Sequence, residues 1–446
     1  MSYPSLLPRP SPRVLVLDAQ TTQALATVRS LGRAGYDVLV ASHRRAPLAA
    51  WSRFARARHV AAENRSAFAA LRAWAAAQGV TVVLPLTERS CLLCNAERPA
   101  WEAAGITVGC GSDDILVQAF DKGRTLAHAE ACGVAIPPTR WPASWDDCRA
   151  AADELGYPCV VKPRFSNVLR GDAFLSDAGP RYVARPEQLV AAVTACRQGA
   201  DWPLIQAYVP GRGKGVFALC DHGRAVTWFA HERLRDVRPT GSGSSLRRAT
   251  PVDPALQVAA QRLIARLRWH GPVMVEFQAD GSADPLLMEV NGRFWGSLQL
   301  AVAAGVDFPR LWVEMLRGQE PRPPASYTTG VTVRWLWGDV KRLLHILGGP
   351  VPGHPGLHPT LRQGLRELLG AQPPGTQLET WQRDDAWPAV GEWIQGMADL
   401  ARGLTARLFS RRPPSAPLAP LPPDPRPAVR DAGSDRPSAR ALENVP

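Results

Sequence analysis

The sequence predicts an α/β protein in several parts: a Rossmann-like parallel domain at the N-terminus, a two-lobed α+β domain after it, a helical C-terminal extension and a disordered tail. Three observations predict this. Up to about residue 118, apolar strands alternate with amphipathic helices. From Asp121 the order changes to helices followed by closely spaced strands and glycines. Beyond Pro413 the chain is mostly Pro, Ala, Arg and Asp, with too little aliphatic bulk to offset the entropy of ordering.

Taken in order, Arg13 to Leu17 (RVLVL) reads as a buried strand, Thr22 to Arg33 as an amphipathic helix and Asp37 to Ala41 (DVLVA) as a second strand, a βαβ opening turned by Gly32 and Gly35. A helix over Ser66 to Gln78, a strand over Val80 to Leu84, a helix around Cys91 to Trp101 and a strand over Ile106 to Gly109 continue the alternation. Glu88 lies just past the third of these strands, where parallel sheets bind ligands, although a lone carboxylate there is more often structural. In the second part, helices over Gly123 to Cys132 and Trp145 to Leu155 precede a strand over Pro158 to Lys162. Strands over Leu204 to Tyr208, Val216 to Cys220, Ala225 to His231, Val273 to Gln278 and Pro285 to Val290 then suggest a mostly antiparallel sheet. Thr240 to Ser245 (TGSGSS) reads either as a mobile flap over a site or as an idle surface loop. The domain reading is a flexible 1–12, a Rossmann-like 13–118, a small lobe 119–205, a large lobe 206–318, a Trp-rich helical region 319–412 and a Pro-rich tail 413–446.

Composition narrows the function. The chain has 446 residues and a net charge of +12, with 52 Lys plus Arg against 40 Asp plus Glu. That balance suits phosphorylated ligands, nucleic acid or an anionic surface. The charge is spread without a lysine block or basic-aromatic stripe, so a nucleic-acid partner is not expected. No apolar run approaches the roughly 18 residues of a membrane span. Trp393 to Arg412 reads as an amphipathic helix with a basic end, suited to core packing or to a peripheral membrane contact. The opening MSYPSLLPRPSPR lacks an uninterrupted apolar run, and 8 scattered cysteines suggest reduced thiols and a cytoplasmic location. Cys91 and Cys94 form a CxxC without a second pair at zinc spacing. No GxGxxG fingerprint points to a dinucleotide.

The chemistry concentrates in two neighbouring strands. Glu276 lies in VMVEF, Glu289 in LLMEV, and Asn291 follows in MEVNGRFWGS. Alternation puts Glu289 and Asn291 on one face, and an adjacent antiparallel strand can set Glu276 opposite them. Two carboxylates and an amide suit a hard cation such as Mg²⁺, or Mn²⁺ in its place, with nucleotide phosphates completing the shell. Arg293, on the same face, can meet a phosphate or carboxylate bidentately. His231, Arg233, Arg235 and Arg238 form a second cluster, either a grip for an anionic substrate or a solvated basic edge.

This spacing resembles the ATP-grasp family, in which a Glu and a later Glu-x-Asn hold magnesium between two lobes clasping ATP. Lys122 in FDKGR and Lys162 in VVKP match the family's two nucleotide lysines, in a chain with only two other lysines, Lys214 and Lys341. Gln206, Ala207, Tyr208 and Val209, followed by Pro210 and Gly211, look like the hinge that receives adenine, with Gln206 where Glu is usual. GVFALC, HERLRDVRPTGSGSS and MEVNGRFWGSLQLAVAAGVDFP resemble predicted ATP-dependent carboxylate-amine ligases, over roughly residues 13–318. Two departures stand out: only Gly171 and Gly179 lie in the phosphate-covering loop between Arg164 and Arg181, and Asn-Gly-Arg replaces the common Asn-Pro-Arg. The resemblance implies ATP and Mg²⁺ as cofactors, small carboxylate and amine substrates, and Lys162 and Arg293 as catalytic groups. The alternatives are a non-catalytic nucleotide-binding regulatory or scaffolding module and a basic nucleic-acid binder.

Overall fold

Short apolar runs bounded by glycine turns set the N-terminal sheet. The computed structural model describes residues 12–176, 179–199, 201–279 and 285–409. Strand β1 (Arg13–Val16), helix α1 (Thr22–Arg33), β2 (Asp37–Ser42), β3 (Ala55–Val60), α2 (Arg65–Ala77), β4 (Val80–Leu84), α3 (Glu88–Ala96), α4 (Arg98–Ala103) and β5 (Thr107–Val108) build a parallel sheet in the order β3-β2-β1-β4-β5. Thr21 caps α1 by accepting from the Ala24 amide, a contact worth about 1 kcal/mol. The edge strand β3 has no apolar run: Ala and Arg alternate, with every second residue half-exposed. The helix expected around Cys91 to Trp101 breaks at Glu97 into α3 and α4, with Pro99 in the first turn of the second. Because α1 leaves β1 toward one side and α3 leaves β4 toward the other, the crevice between the carboxyl ends of β1 and β4 is the switch point of this sheet.

Helices α5 (Asp113–Phe120) and α6 (Lys122–Ala131) lead into the small lobe, comprising β6 (Thr139–Arg140), α7 (Trp145–Leu155), β7 (Cys159–Lys162), the hairpin β8 (Asn167–Arg170) and β9 (Ala173–Ser176), β10 (Arg181–Val183), α8 (Leu189–Cys196) and β11 (Leu204–Ala207). Its sheet β10-β7-β11-β6 packs on Cys148, Ala152, Val161, Val193 and Ile205, a core of its own.

The large sheet runs β16-β15-β12-β13-β14-β17-β18. Its strands are β12 (Arg212–Asp221), β13 (Arg224–Arg238), β14 (Ser242–Thr250), β15 (Gly271–Ala279), β16 (Leu286–Asn291), β17 (Thr332–Arg334) and β18 (Gln377–Leu378). Between them lie α9 (Pro254–Arg266), α10 (Leu298–Ala303), α11 (Phe308–Leu316), α12 (Leu336–Leu347) and α13 (Leu361–Leu369), and α14 (Trp387–Phe409) follows. Alternation feeds two cores from one strand: Val216, Ala218 and Cys220 pack with α9, whereas Phe217 and Leu219 pack with Trp295, Leu298 and Trp312.

Two expectations need correction here. Ser242 to Ser245 are not a mobile flap. They begin β14 and pair with β13 through Asp236↔Ser244 and Arg238↔Ser242, and Ser245 is buried. Serines and glycines were compatible with a loop, but a long neighbouring strand supplies the hydrogen bonds that fix them. The region after residue 318 is also not purely helical, since β17 and β18 extend the large sheet. It is tied to the first domain by Arg29, fully buried, which donates to Asp385 at 2.8 Å and to the carbonyls of Glu379 and Thr380. The tail 413–446, and residues 410–412 of the expected amphipathic helix, lie outside the described residues. Among the described residues, no helix is long and apolar enough to cross a membrane.

Candidate active site

Register across the large sheet places four positions in one row. Glu276 of β15 stands opposite Glu289 of β16 on one side and Gly215 of β12 on the other, and Gly215 pairs with His231 of β13. The expected facing of the two glutamates is therefore met. Asn291 donates from Nδ2 to Glu289 Oε1 at 2.8 Å and accepts from Arg293 at 2.8 Å, so Arg293, Asn291 and Glu289 form a chain along the strand end. Glu276 forms an ion pair with Arg233, whose guanidinium occupies the space a Cβ would need at Gly213. The alternating glycines of β12 thus make room for Arg233 and, at Gly215, for the Phe217 ring beside the acidic pair.

The Asn-Gly-Arg departure has a packing reason. A Cβ at Gly292 would lie 2.4 Å from the indole of Trp269, which is buried beneath this turn. A proline ring cannot occupy that space.

The small lobe brings both lysines to the same place. Asp121 caps α6 and is gripped by Arg164 at 2.7 to 3.0 Å, while the Lys122 amide donates to the Arg164 carbonyl at 3.1 Å. The start of α6 and the chain just after β7 are thereby held together. Lys122 Nζ donates to Ser166 Oγ at 3.0 Å. Burial pulls the Lys162 ammonium down to about 8, with Lys122 adding to the fall and Glu289 and Glu276 opposing it. Burial also opposes ionisation of Glu289, but the Asn291 amide and the charges of Lys122, Lys162 and Arg293 outweigh it and hold its carboxyl below the usual range. At Glu276 burial wins over Arg233 and the carboxyl is raised. Two facing carboxylates pushed apart in acidity, beside two lysines, form a site prepared for a cation and phosphates.

From the first domain comes a group the sequence left as structural. Asp18, in the left-handed region at the end of β1, accepts from the amides of Leu86 and Thr87 and from Ser90 Oγ at 2.6 to 3.0 Å. These bonds fix the turn that starts α3 in the switch-point crevice, and Glu88 is the first residue of that helix. Its Oε2 accepts from Asn167 of β8 at 3.2 Å, and its buried Oε1 has no hydrogen-bond partner among the described residues. Burial raises the Glu88 carboxyl, opposed by Lys122 first and by Arg293 more weakly, so it shares the field of the lysines and of Arg293. The sequence signal was its place after a strand of a parallel sheet; only the tertiary fold supplies its neighbours.

The remaining candidates divide. Gln206 is buried in β11 and donates to Thr139 Oγ1 at 2.8 Å, and the Ala207 amide donates to the Pro138 carbonyl at 2.9 Å. Tyr208 packs edge-on against Tyr182 and His354, and Val209 is half-buried. The His231 to Arg238 cluster is not one patch, because the β13–β14 ladder shifts register between Arg233 and Asp236. Arg233 faces Glu276, Arg235 pairs with Asp339 at 2.8 Å and Arg238 donates to Ser242. His231 is buried, bonded to Ser297 Oγ at 2.8 Å, and burial pushes its imidazole down to about 3, so it is neutral. Cys91 and Cys94 are buried in α3 with free thiols.

Residues 201–338, which carry the acidic pair and its row, match the family described as "ATP-grasp in the biosynthetic pathway with Ter operon". Residues 201–338 thus carry the likeness to an ATP-grasp family. Over 183 residues it is 35% identical to a formate-dependent phosphoribosylglycinamide formyltransferase of Corynebacterium jeikeium, a match covering 38% of this chain and 42% of that protein. It therefore spans less than half of that relative's length. A D-alanine–D-alanine ligase of Stutzerimonas stutzeri is 28% identical over 233 residues, 48% of this chain and 70% of the ligase. Among solved structures, N5-carboxyaminoimidazole synthetase from Staphylococcus aureus superposes with a TM-score of 0.55 at 14% identity, covering 72% of this chain and 80% of that one, a likeness of fold. In ATP-grasp terms, the site described above lies where the two lobes and the preceding α/β domain meet.

Proposed function

We propose that this chain is an ATP- and Mg²⁺-dependent ligase that activates a carboxylate as an acyl phosphate for attack by an amine. The observation that carries the reading is the register pairing of Glu276 with Glu289, with Asn291 and Arg293 bonded along the same strand end and Lys122 and Lys162 in the same field. The donor set fits a hard divalent cation: two partly buried carboxylates facing across β15 and β16, and an amide. Glu276, Glu289 and Asn291 would hold that ion, and when bound it supplies charge neutralisation across the terminal phosphates.

The chain's own groups then divide the work. Lys122 and Lys162 balance the phosphate charge, and backbone groups of Gln206 to Val209 line the nucleotide's base. Arg293 holds the carboxylate being phosphorylated in line with the γ-phosphoryl. Attack of the amine expels phosphate and releases a proton. Glu88, a buried carboxylate with an unpaired oxygen, is placed to hold the amine and to accept that proton. A cytoplasmic location belongs to the same reading, a compartment that keeps thiols such as Cys91 and Cys94 reduced.

Magnesium-dependent ADP release across pools of carboxylates and amines tests the reading, with Glu289→Ala and Lys162→Ala as controls. Release that requires both an acid and an amine, and disappears in the variants, supports it. Tight ATP binding with no release from any pool replaces it with a nucleotide-binding regulatory module.

A further inference from the structure

At the end of the large sheet opposite the acidic row, three ligand-type side chains converge. Strand β12 ends at Asp221 and β13 begins at Arg224, so His222 and Gly223 form a two-residue hairpin turn, with φ of 44° and 95°. Such turns want Asn or Gly at the first position. A histidine there adopts the left-handed region, uncommon for a residue other than glycine. The pairing Cys220↔Gly271 sets this turn beside the start of β15, immediately after His270.

The two imidazoles stack with centroids 4.2 Å apart and planes 14° from parallel. Asp221 Oδ1 lies 3.4 Å from His270 Nδ1 and 3.8 Å from His222 Nε2. All three ligand atoms fall within 4.8 Å of one another. The buried His270 Nδ1 makes no hydrogen bond among the described residues. Its ring is braced edge-on against Trp312 at 5.2 Å, and Trp312 is anchored by its indole N–H to the Gly109 carbonyl. Arg224, exposed, reaches the other Asp221 oxygen only at 4.0 Å.

We propose that Asp221, His222 and His270 form a binding site for a late first-row divalent cation of the Zn²⁺ type. Two imidazoles and a carboxylate are the donor set of that class rather than of Mg²⁺ or Ca²⁺. Tetrahedral ligands at about 2.0–2.2 Å stand roughly 3.3 Å apart, so the Asp221–His270 spacing is already suitable, and the exposed His222 ring would turn out of its stack to aim Nε2 at the same ion. The fourth position opens to solvent. From Glu276 to Gly271 is five residues along β15, about 17 Å at 3.4 Å per residue, so this site is separate from the proposed Mg²⁺ position. Its bound ion ties the β12–β13 turn to the head of β15 and so stiffens the strand that carries Glu276.

The test is titration of the full chain with Co²⁺ or Zn²⁺ alone, followed by visible spectroscopy and competition with a chromophoric chelator. Asn favours the left-handed region, so His222→Asn keeps the turn while removing a ligand. One Co²⁺ bound with nitrogen and oxygen bands, weakened by more than about tenfold in both His222→Asn and His270→Gln and unchanged in Glu289→Gln, is the expected result. Affinity unchanged in the two histidine variants, a thiolate charge-transfer band or loss of binding in Glu289→Gln overturns the site. ADP release is read separately, so failure here leaves the ligase reading standing and failure of the ligase reading leaves this site intact.

Discussion

Two regions of this molecule bury charge, and they do so to opposite ends. In the C-terminal clamp, Arg29 is surrounded by acceptors: Asp385 Oδ2 and the carbonyls of Glu379, Thr380 and Asp385 take its donors, while Asp385 also accepts from Ser52 Oγ and the Arg53 amide. In the candidate site the accounts are left open. Glu276 faces Glu289, Glu88 keeps an unpaired oxygen, and Lys162 titrates at about 8. A saturated buried ion holds elements in place, whereas an unsaturated one is a site awaiting its ligand. The comparison teaches that burial alone does not mark function here; what sets the candidate site apart is two facing glutamates with two lysines in their field.

That contrast can be broken by substitution. The largest effect is expected at Asp385→Ala, which strands the Arg29 charge and should lower unfolding free energy by about 3–5 kcal/mol while sparing turnover per folded molecule. Denaturant unfolding checks it, and a loss below about 1 kcal/mol would show the clamp to be incidental. Glu289→Ala should do the reverse. Activity is expected to drop roughly 100- to 1000-fold, the size of one lost electrostatic partner, with a stability loss smaller than that at Asp385, because Lys122, Lys162 and Arg293 lose a carboxylate they share. Steady-state ADP release and a melt on the same sample decide between the two behaviours.

Gly292→Ala sharpens the role of the turn. Its Cβ meets the Trp269 indole at 2.4 Å, and an overpacking cost of about 1–3 kcal/mol is expected, read in the midpoint of urea unfolding. An unperturbed midpoint would mean that Trp269 yields freely. The smallest effect is one of pH. If Lys162 binds phosphate as a cation, nucleotide affinity should hold below its value of about 8 and fall as pH rises through it, by at most about tenfold per unit. Lys162→Arg keeps the charge and should flatten that profile in a fluorescent-nucleotide titration; an identical slope in both proteins removes Lys162 from the nucleotide contact.

Much of the site was legible because its signals are local. Glu289, Asn291 and Arg293 share a face by strand alternation, so period and spacing expose them, whereas Lys122 and Lys162 were read from the family resemblance. Glu88 was not legible as a site residue, since nothing near it in the chain announces Lys122, Arg293 or Asn167 as neighbours. Arg233 and Arg235 are two apart and looked like one basic edge, but a register shift in the ladder sends one to Glu276 and the other to Asp339.

By itself, then, the sequence determined the strand and helix periods, the strand–helix alternation of the first domain and the shared face of Glu289 and Asn291, all of which depend on residues close in the chain. The tertiary structure decided what long-range pairing decides. It turned Ser242 to Ser245 into a strand, added β17 and β18 to the large sheet, brought Asp385 to Arg29 across 356 positions and set Glu88 beside the lysines. Those contacts join residues whose own segments carry no record of one another, because the hydrogen bonds and charges that fix them belong to partners reached only when the chain has folded.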